Sequence, residues 1–295
     1  MKRFFCFLTA LVLAVPLWGC AAASEPAQIA ATTLPVYEFT SRLCQGTDIT
    51  VTRLVTEQVS CLHDYSLNVR QVKAAEAAQT IVISGAGLEN FMDDLLTNAD
   101  LIDASQGVPL LCAAEEHDHG HDHEEEGHHH EEDPHIWLSP ANARQMARNI
   151  CDGLTERYPG SAETFRKNLE GLLSDLDQLQ AYGEEALSEL GCREIITFHD
   201  GFSYFAQAFD LTILEAMEEE SGSEASAREL IRLIREVEAH HLPAVFTEKS
   251  GSVSAAEVIS RETGCSVYDL DMAMASDSYF EAMYHNIDTM KEALQ

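Results

Sequence analysis

The sequence predicts an α/β fold of two lobes, in which parallel sheets are covered by helices and a long helix joins the lobes. Three observations predict this fold. Apolar, β-rich runs alternate with amphipathic helical stretches early in the chain, and the same alternation resumes in its last third. A helical stretch between the two series is unusually long for a crossover inside one sheet. The 295 residues are 45% hydrophobic, which suffices for a sizeable buried core.

The first series of elements forms the predicted N-terminal lobe, residues 28–157. Its predicted strands read QIAATTLP, DITVTRLV and TIVISGA. Its predicted helices, each after one of these strands, read VYEFTSRLC, LNVRQVKAAEAA and LENFMDDLL. Such alternation is typical of parallel strands that are connected by helices.

The second series forms the predicted C-terminal lobe, residues 191–295. The β-rich runs REIITF, LTILEAM, PAVFTE and CSVYDL alternate here with GFSYFAQAF, SEASARELIRLIREVEAHH, SAAEVISRETG and SYFEAMYHNIDTMKEAL. The pattern again predicts a parallel sheet with helices on its faces.

Residues 158–190 form the predicted connecting helix. Its helical run extends from about Ser161 to Leu190. Apolar residues recur there at helical spacing with charged residues between them. These residues are Phe165, Leu169, Leu172, Leu173, Leu176 and Leu179. We interpret the run as a stiff strut between the lobes. A single large doubly wound domain with one long surface helix remains the alternative.

The start of the chain, MKRFFCFLTALVLAVPLWGC, indicates an export signal. A basic start precedes an apolar run that is too short to cross a bilayer. The ending LWGC resembles a lipobox, which predicts a signal peptide at 1–19, a lipidated Cys20 and a tether at 20–27. We therefore expect an extracytoplasmic protein that is lipid-anchored to the bacterial cell membrane. Ordinary cleavage to a soluble secreted protein is the alternative.

The charge of the chain restricts its partners. A formal net charge of −32 disfavours nucleic acid and anionic membrane surfaces, because their phosphates would repel such a surface. Cations are the natural ligands of a chain with this charge.

Besides Cys6 and the lipidated Cys20, six cysteines would remain. An even number in an exported protein permits disulfides, but six cysteines allow 15 connectivities. Small buried thiols that stay reduced are the alternative. The absence of CxxC spacing disfavours a thiolate metal site. The six are Cys44, Cys61, Cys112, Cys151, Cys192 and Cys265.

Four metal-competent side chains lie just after predicted strands or at an ordered turn. They are His63 in SCLHDYSL, His135 in DPHIWLSP, His199 in TFHDGFSYF and Asp271 in VYDLDMA. In open parallel sheets, ligands bind outside the carboxyl ends of the strands, where such loops meet. Two candidates come from each half of the chain, which predicts a metal site in the cleft between the lobes.

Three imidazoles and one carboxylate form a ligand set that suits Zn²⁺. Manganese prefers more oxygen ligands, whereas Ni²⁺ and Cu²⁺ also bind imidazole, so another divalent metal remains open. Asp269 lies two residues from Asp271 and is an alternative ligand.

These segments together resemble the metal-binding lipoproteins of ABC uptake systems, the zinc/manganese solute-binding family, and its zinc-type members in particular. The resemblance covers residues 28–294 and includes CLHDYSL, DPHIWLSP, TFHDGFSYFAQAF, AVFTE and SYFEAMYHNIDTM. It implies a fold of two α/β lobes joined by a long helix. It also implies that zinc is captured outside the cell and delivered to an ABC permease.

The resemblance further implies roles for individual residues. His63, His135 and His199 match metal ligands of the family, and Asp271 matches a fourth. Manganese-type members have a carboxylate where this chain has His199, so the histidine favours zinc. The family form LDPLG is replaced here by LDMAM, which keeps Asp269 as an alternative to Asp271.

A histidine-rich and acidic loop occupies residues 115–132. Its dense like charge and low apolar content predict disorder without metal, although its side chains can collect cations weakly. A loop of this kind is common in zinc-type members of the resembled family. A solvated acidic loop that serves only solubility is the alternative. Its histidines are His117, His119, His121, His123, His128, His129 and His130.

Other conspicuous residues are expected to be structural. His240 and His241 end a predicted helix, where a partial positive charge suits the helix dipole. His285 is expected to face solvent or to pack. Glu248 ends the strand AVFTE, where a structural hydrogen bond is the first expectation and orientation of a ligand imidazole is the second.

The sequence thus favours a monomeric zinc-binding protein with an ABC permease as its partner. A zinc hydrolase, with Glu248 or Asp271 as general base, is the enzymatic alternative. It lacks an HExxH motif and disagrees with the lipoprotein-like start. A surface adhesin would rest on the lipid anchor alone.

Overall fold

A computed structural model describes residues 27–57, 62, 65–97, 99–111, 132–217, 225–274 and 276–295. Several predictions about the sequence fall outside these ranges. They concern the signal peptide, Cys20, His63, Cys61, Cys112 and the histidine-rich loop apart from Glu132. Within the described ranges, no helix has both the length and the apolar character to span a bilayer.

The N-terminal lobe is a parallel four-stranded sheet with the strand order β2-β1-β3-β4. Its strands are β1 (Ile29–Ala31), β2 (Val51–Arg53), β3 (Thr80–Ile83) and β4 (Leu101–Asp103). Its helices are α1 (Leu34–Leu43), α2 (Val69–Ala77), α3 (Asp93–Leu96) and α4 (Pro140–Arg157). Neither β4 nor α4 is among the predicted elements, and the predicted helix LENFMDDLL is a 3-10 turn, Asn90–Met92, followed by the four-residue α3.

The C-terminal lobe repeats this topology with the strand order β6-β5-β7-β8, again all parallel. Its strands are β5 (Glu194–Thr197), β6 (Thr212–Ala216), β7 (Ala244–Glu248) and β8 (Ser266–Leu270). Its helices are α6 (Ser203–Ala208), α7 (Ala227–His240), α8 (Ser254–Thr263) and α9 (Tyr279–Leu294). Two separate parallel sheets confirm the predicted two-lobe α/β fold over a single large sheet.

The long helix α5 (Ala162–Ala186) packs against both lobes. Near its start, the side-chain amide of Asn168 donates to the carbonyl oxygen of Leu43, at 2.9 Å, at the end of α1. Near its end, the hydroxyl of Tyr182 donates to Asp288 of α9 at 2.5 Å. Its buried residues join one continuous core that includes side chains of both lobes. The predicted connecting helix therefore contacts the two lobes and does not cross a single sheet.

Aromatic side chains fasten the loop that precedes α4 to the C-terminal lobe. The indole N–H of Trp137 donates to the carbonyl oxygen of Met272 at 2.8 Å. The hydroxyl of Tyr279 donates to the carbonyl oxygen of Trp137 at 2.9 Å. The hydroxyl of Tyr204 donates to the carbonyl oxygen of Asp133 at 2.9 Å. All three aromatic side chains are buried. The segment that carries His135 is thereby held against the opposite lobe.

A buried carboxylate fixes the carboxyl ends of β1 and β3 on the N-terminal side of the cleft. Glu89 accepts hydrogen bonds from the Thr32 hydroxyl at 2.6 Å and from the backbone N–H groups of Ser84 and Gly85 at 2.8 and 3.0 Å. Burial raises the pKa of Glu89 to about 7, although these donors act in the opposite direction. The contacts tie together the two strands between which the strand order of this lobe reverses.

The four described cysteines, Cys44, Cys151, Cys192 and Cys265, are free thiols, and three of them are buried. Burial raises the pKa of the Cys44 thiol to about 12, which keeps it protonated and unreactive. Any pairing that involves Cys61 or Cys112 stays a prediction.

Candidate metal centre

The candidate centre lies at the carboxyl ends of the C-terminal strands, where parallel α/β sheets bind ligands. His199 follows β5, Glu248 is the last residue of β7, and Asp271 follows β8. Strands β5 and β7 are neighbours although they are not consecutive in the chain, so the strand order reverses between them. The fourth side chain, His135, comes from the loop before α4.

The structure brings His135 and His199 together across the cleft. Their Nε2 atoms are 3.4 Å apart, and their rings meet edge to face with centroids 5.2 Å apart. Two nitrogens bound to one tetrahedral zinc at about 2.0 to 2.1 Å are expected to be roughly 3.3 to 3.4 Å apart. Both side chains are buried. The observed spacing is therefore that of two ligands of a single zinc ion.

Asp133 orients His135. Its Oδ1 lies 2.8 Å from Nδ1 of His135 and accepts the backbone N–H of the same residue at 2.9 Å. This contact places the ring proton on Nδ1 and leaves the Nε2 lone pair directed at His199. The sequence analysis did not predict a role for Asp133. Its position in DPHIW, two residues before a candidate ligand, is the sequence feature that could have indicated one.

Glu248 lies beside the other imidazole. Its Oε2 is 3.9 Å from Nδ1 of His199, which is too long for a hydrogen bond. Burial, and then the negative charge of Asp271, raise the pKa of Glu248 to about 8. Both expectations for this residue, a structural hydrogen bond and orientation of a ligand imidazole, stay predictions.

Asp271 is fully buried, but a lysine already pairs with it. Lys249 Nζ lies 3.2 Å from Oδ2, and the hydroxyl of Ser276 donates to the same oxygen. Among the described residues, Oδ1 has no hydrogen-bond partner. The backbone of Asp271 exchanges two hydrogen bonds with the Asn286 side chain, at 2.7 and 2.8 Å. One carboxylate oxygen is thus held by the lysine and the other is available.

The alternative ligand Asp269 points elsewhere. Its side chain is half exposed and its Oδ2 lies 3.3 Å from Nε2 of His285 on α9. His240, at the end of α7, pairs with Glu194 at 2.9 Å. These two histidines have surface partners, in agreement with the structural roles expected for them.

Gly201 permits the close packing around His199. A Cβ atom at this position would lie 2.8 Å from the His199 ring and 2.5 Å from the Met272 side chain. This glycine is visible in the sequence as the third residue of HDGF, but its role in packing was not predicted.

In the described part of the chain the structure brings His135 and His199 together, and the ligand role of Asp271 stays a prediction. Within the described ranges, no three His, Cys, Asp or Glu side chains form a group that could hold a metal ion. His63, the remaining predicted ligand, is outside those ranges.

The family model for ZnuA, the periplasmic component A of a zinc-uptake complex, matches residues 29–293. The chain belongs to this family. The zinc-binding lipoprotein AdcA of Streptococcus pneumoniae is 30% identical over 277 residues, which cover 90% of this chain and 55% of AdcA. A putative metal-binding protein of Treponema pallidum is 28% identical and is covered to 83% of its length. The chain thus spans about half the length of the curated AdcA proteins that it matches.

Solved structures of ZnuA-type proteins share the fold. A crystal structure of ZnuA has a TM-score of 0.78 and 28% identity, covering 91% of this chain and all of that chain. The Zn(II)-bound ZnuA-like domain of Streptococcus pneumoniae AdcA has a TM-score of 0.74 and 26% identity, covering 90% of this chain and 98% of that one. The resemblance to zinc-type solute-binding proteins is confirmed.

Replacing Asp133 by Asn is expected to weaken zinc binding about 10- to 100-fold, the usual cost of losing a carboxylate that orients a ligand histidine. The asparagine keeps the size of the side chain but no longer stabilises the Nδ1 proton of His135 as a carboxylate does. Isothermal titration against a competing chelator measures the change. Asp210→Asn, which removes the same charge from an exposed residue, is the control. Equal affinities of the two variants would contradict the orienting role of Asp133.

Proposed function

We propose that this protein captures Zn²⁺ outside the cytoplasm and delivers it to an ABC permease. The observation that carries the proposal is the meeting of His135 and His199, one from each lobe, with their Nε2 atoms 3.4 Å apart. Membership of the ZnuA family and the names of the AdcA relatives support the same metal and the same transport role. The family is that of a binding component of an uptake system and not of an enzyme.

The proposed ligands are His63, His135, His199 and Asp271. Three imidazoles and one carboxylate favour Zn²⁺ over Mn²⁺, which prefers oxygen. The contact between Asp133 and His135 supports this assignment, because a ligand histidine commonly donates its second ring proton to a carboxylate. The loop before α4 and the loop after β5 hold His135 and His199 before the metal arrives, so little conformational entropy is lost at these two residues on binding.

The hydrolase alternative has little support from the candidate bases. Asp271 is paired with Lys249, and burial holds the pKa of Glu248 at about 8, so this carboxyl group is mostly protonated at neutral pH and accepts a proton poorly. A capture site fills its coordination positions with protein side chains, whereas a catalytic zinc keeps one position open for water. The other alternative is a binding protein for nickel or manganese. Competition of these metals with Zn²⁺ for the same protein tests it.

The organisation of the mature chain is part of the proposal. It comprises lobes at 28–157 and 191–295, a connecting helix at 158–190, and a monomeric state. A lipid on Cys20, after removal of residues 1–19, would hold the protein at the membrane near its permease. The description of the family as periplasmic and the name lipoprotein of AdcA support this location. Mass spectrometry of the native N-terminus tests it, and an unmodified mature start after Cys20 would argue against the anchor.

Zinc is expected to raise the melting temperature of the mature protein on the order of 10 °C, since a thousandfold excess over Kd contributes about 4 kcal/mol. The variants His63→Ala, His135→Ala and His199→Ala should each lose most of this rise in scanning calorimetry. The controls His240→Ala and His285→Ala should keep it, because these side chains pair with surface carboxylates. A similar loss in all five variants would show that the ligands are assigned wrongly.

Deletion of residues 115–132 is expected to leave the tight zinc site intact. The deletion removes seven histidines but spares His135, so one ion should still bind with nearly the same affinity while weak additional binding disappears. Ordering a segment around a metal costs roughly 1 to 2 kcal/mol per residue. The fold already holds His135 and His199 in place. Calorimetric titration of both proteins measures stoichiometry and affinity. Loss of the tight site from a folded deletion variant would place the primary site in the loop.

A further inference from the structure

Lys249 places a positive charge beside Asp271, one of the proposed zinc ligands. Its ammonium group lies 3.2 Å from Oδ2 of Asp271 and 3.3 Å from the hydroxyl of Ser276, which also donates to Oδ2. The Asp271 side chain is 0% exposed, whereas the Lys249 side chain is 44% exposed. A buried carboxylate thus has a partly solvated cation as its partner.

The two members of this pair differ in their freedom to move. The backbone of Asp271 is held on both sides by Asn286, and Asp271 follows directly on β8. The backbone of Lys249 is also fixed, since its N–H donates to the carbonyl oxygen of Leu270 at 2.8 Å. Its side chain, however, is a flexible four-carbon chain with a path to solvent. Rotation of this chain alone can separate the pair.

A divalent cation and the ammonium group compete for the same carboxylate. Without any cation, Asp271 would be a buried, unpaired charge, which is strongly unfavourable. With a divalent metal ion on Asp271, the ammonium group, 3.2 Å from Oδ2 of this residue, would be repelled at short range by the double positive charge of the metal. The pair is therefore favoured in the metal-free protein, and repulsion between the two cations weakens it once metal reaches either oxygen of Asp271.

We propose that Lys249 is an internal counter-ion that occupies Asp271 in the metal-free protein and is displaced by Zn²⁺. This inference rests on the proposed ligand role of Asp271. Lys249 acts through Asp271 and is a positioning residue that does not itself bind the metal. Its ion pair lowers the affinity for zinc and speeds release, because a leaving ion is replaced at once by the ammonium group.

The variant Lys249→Met tests the inference through two effects of opposite sign. Zinc should bind about tenfold more tightly to this variant and should dissociate from it more slowly when a chelator is added. A tenfold change lies between the contributions of exposed and buried ion pairs. The metal-free variant should melt at a lower temperature, because Asp271 loses its partner. A residue that merely supports the fold would lower the melting temperature without strengthening zinc binding. Lys249→Gln gives a second neutral side chain if the methionine variant folds poorly.

Two single controls separate the local effect from general charge effects. Lys249→Arg keeps a cation and should retain an affinity closer to that of the unaltered protein than to that of Lys249→Met. Lys291→Met removes the same charge from an exposed position of α9 and should leave the affinity unchanged.

A double-variant cycle tests whether Lys249 acts through Asp271. In an Asp271→Asn background, Lys249→Met should no longer strengthen zinc binding, because the carboxylate for which the two cations compete is gone. Unchanged or weaker zinc binding by both Lys249→Met and Lys249→Gln would overturn the inference. So would equal strengthening with and without Asp271. The variant His135→Ala separates this failure from failure of the proposed function: if it binds zinc normally, the cleft site itself is wrong.

Discussion

The distance between two imidazoles from opposite lobes is the constraint on which the rest of the centre depends. Nε2 of His135 and Nε2 of His199 are 3.4 Å apart, a separation that a displacement of either lobe by an ångström would destroy. The fold maintains it with hydrogen bonds from Trp137, Tyr204 and Tyr279, which join the His135 segment to the C-terminal lobe. Helix α5 packs against both lobes through the same continuous core.

Charged side chains near the two imidazoles determine how strongly the site binds a cation. Asp133 fixes the tautomer of His135, whereas Glu248 is buried beside His199 with a pKa raised to about 8. Asp271 provides a buried carboxylate, and Lys249 neutralises it in the metal-free protein. On the proposed assignment, zinc binding would exchange one cation for another at Asp271, while His135 and His199 are already held by the fold.

Local patterns in the sequence predicted much of the fold, and contacts between distant residues explain what they missed. Alternation of β-rich and amphipathic runs predicted seven of the eight strands in the described part of the chain. The strand β4 has only Leu101 and Ile102 between two aspartates and lacks the longer β-rich run that surrounds β1 and β2. His135 and His199 were predicted from their positions at a turn and after a strand. Their separation, the contact of Asp133 and the pairing of Lys249 with Asp271 depend on tertiary packing, which periodicity does not encode.

A crystal structure of the zinc-loaded mature protein tests the central claim most directly. The account predicts one zinc ion between the lobes, about 2.0 to 2.1 Å from Nε2 of both His135 and His199, in tetrahedral coordination. It also predicts that the Asp133 contact to Nδ1 of His135 persists. A zinc ion that is bound elsewhere, with the two Nε2 atoms not coordinated to it, would contradict the account.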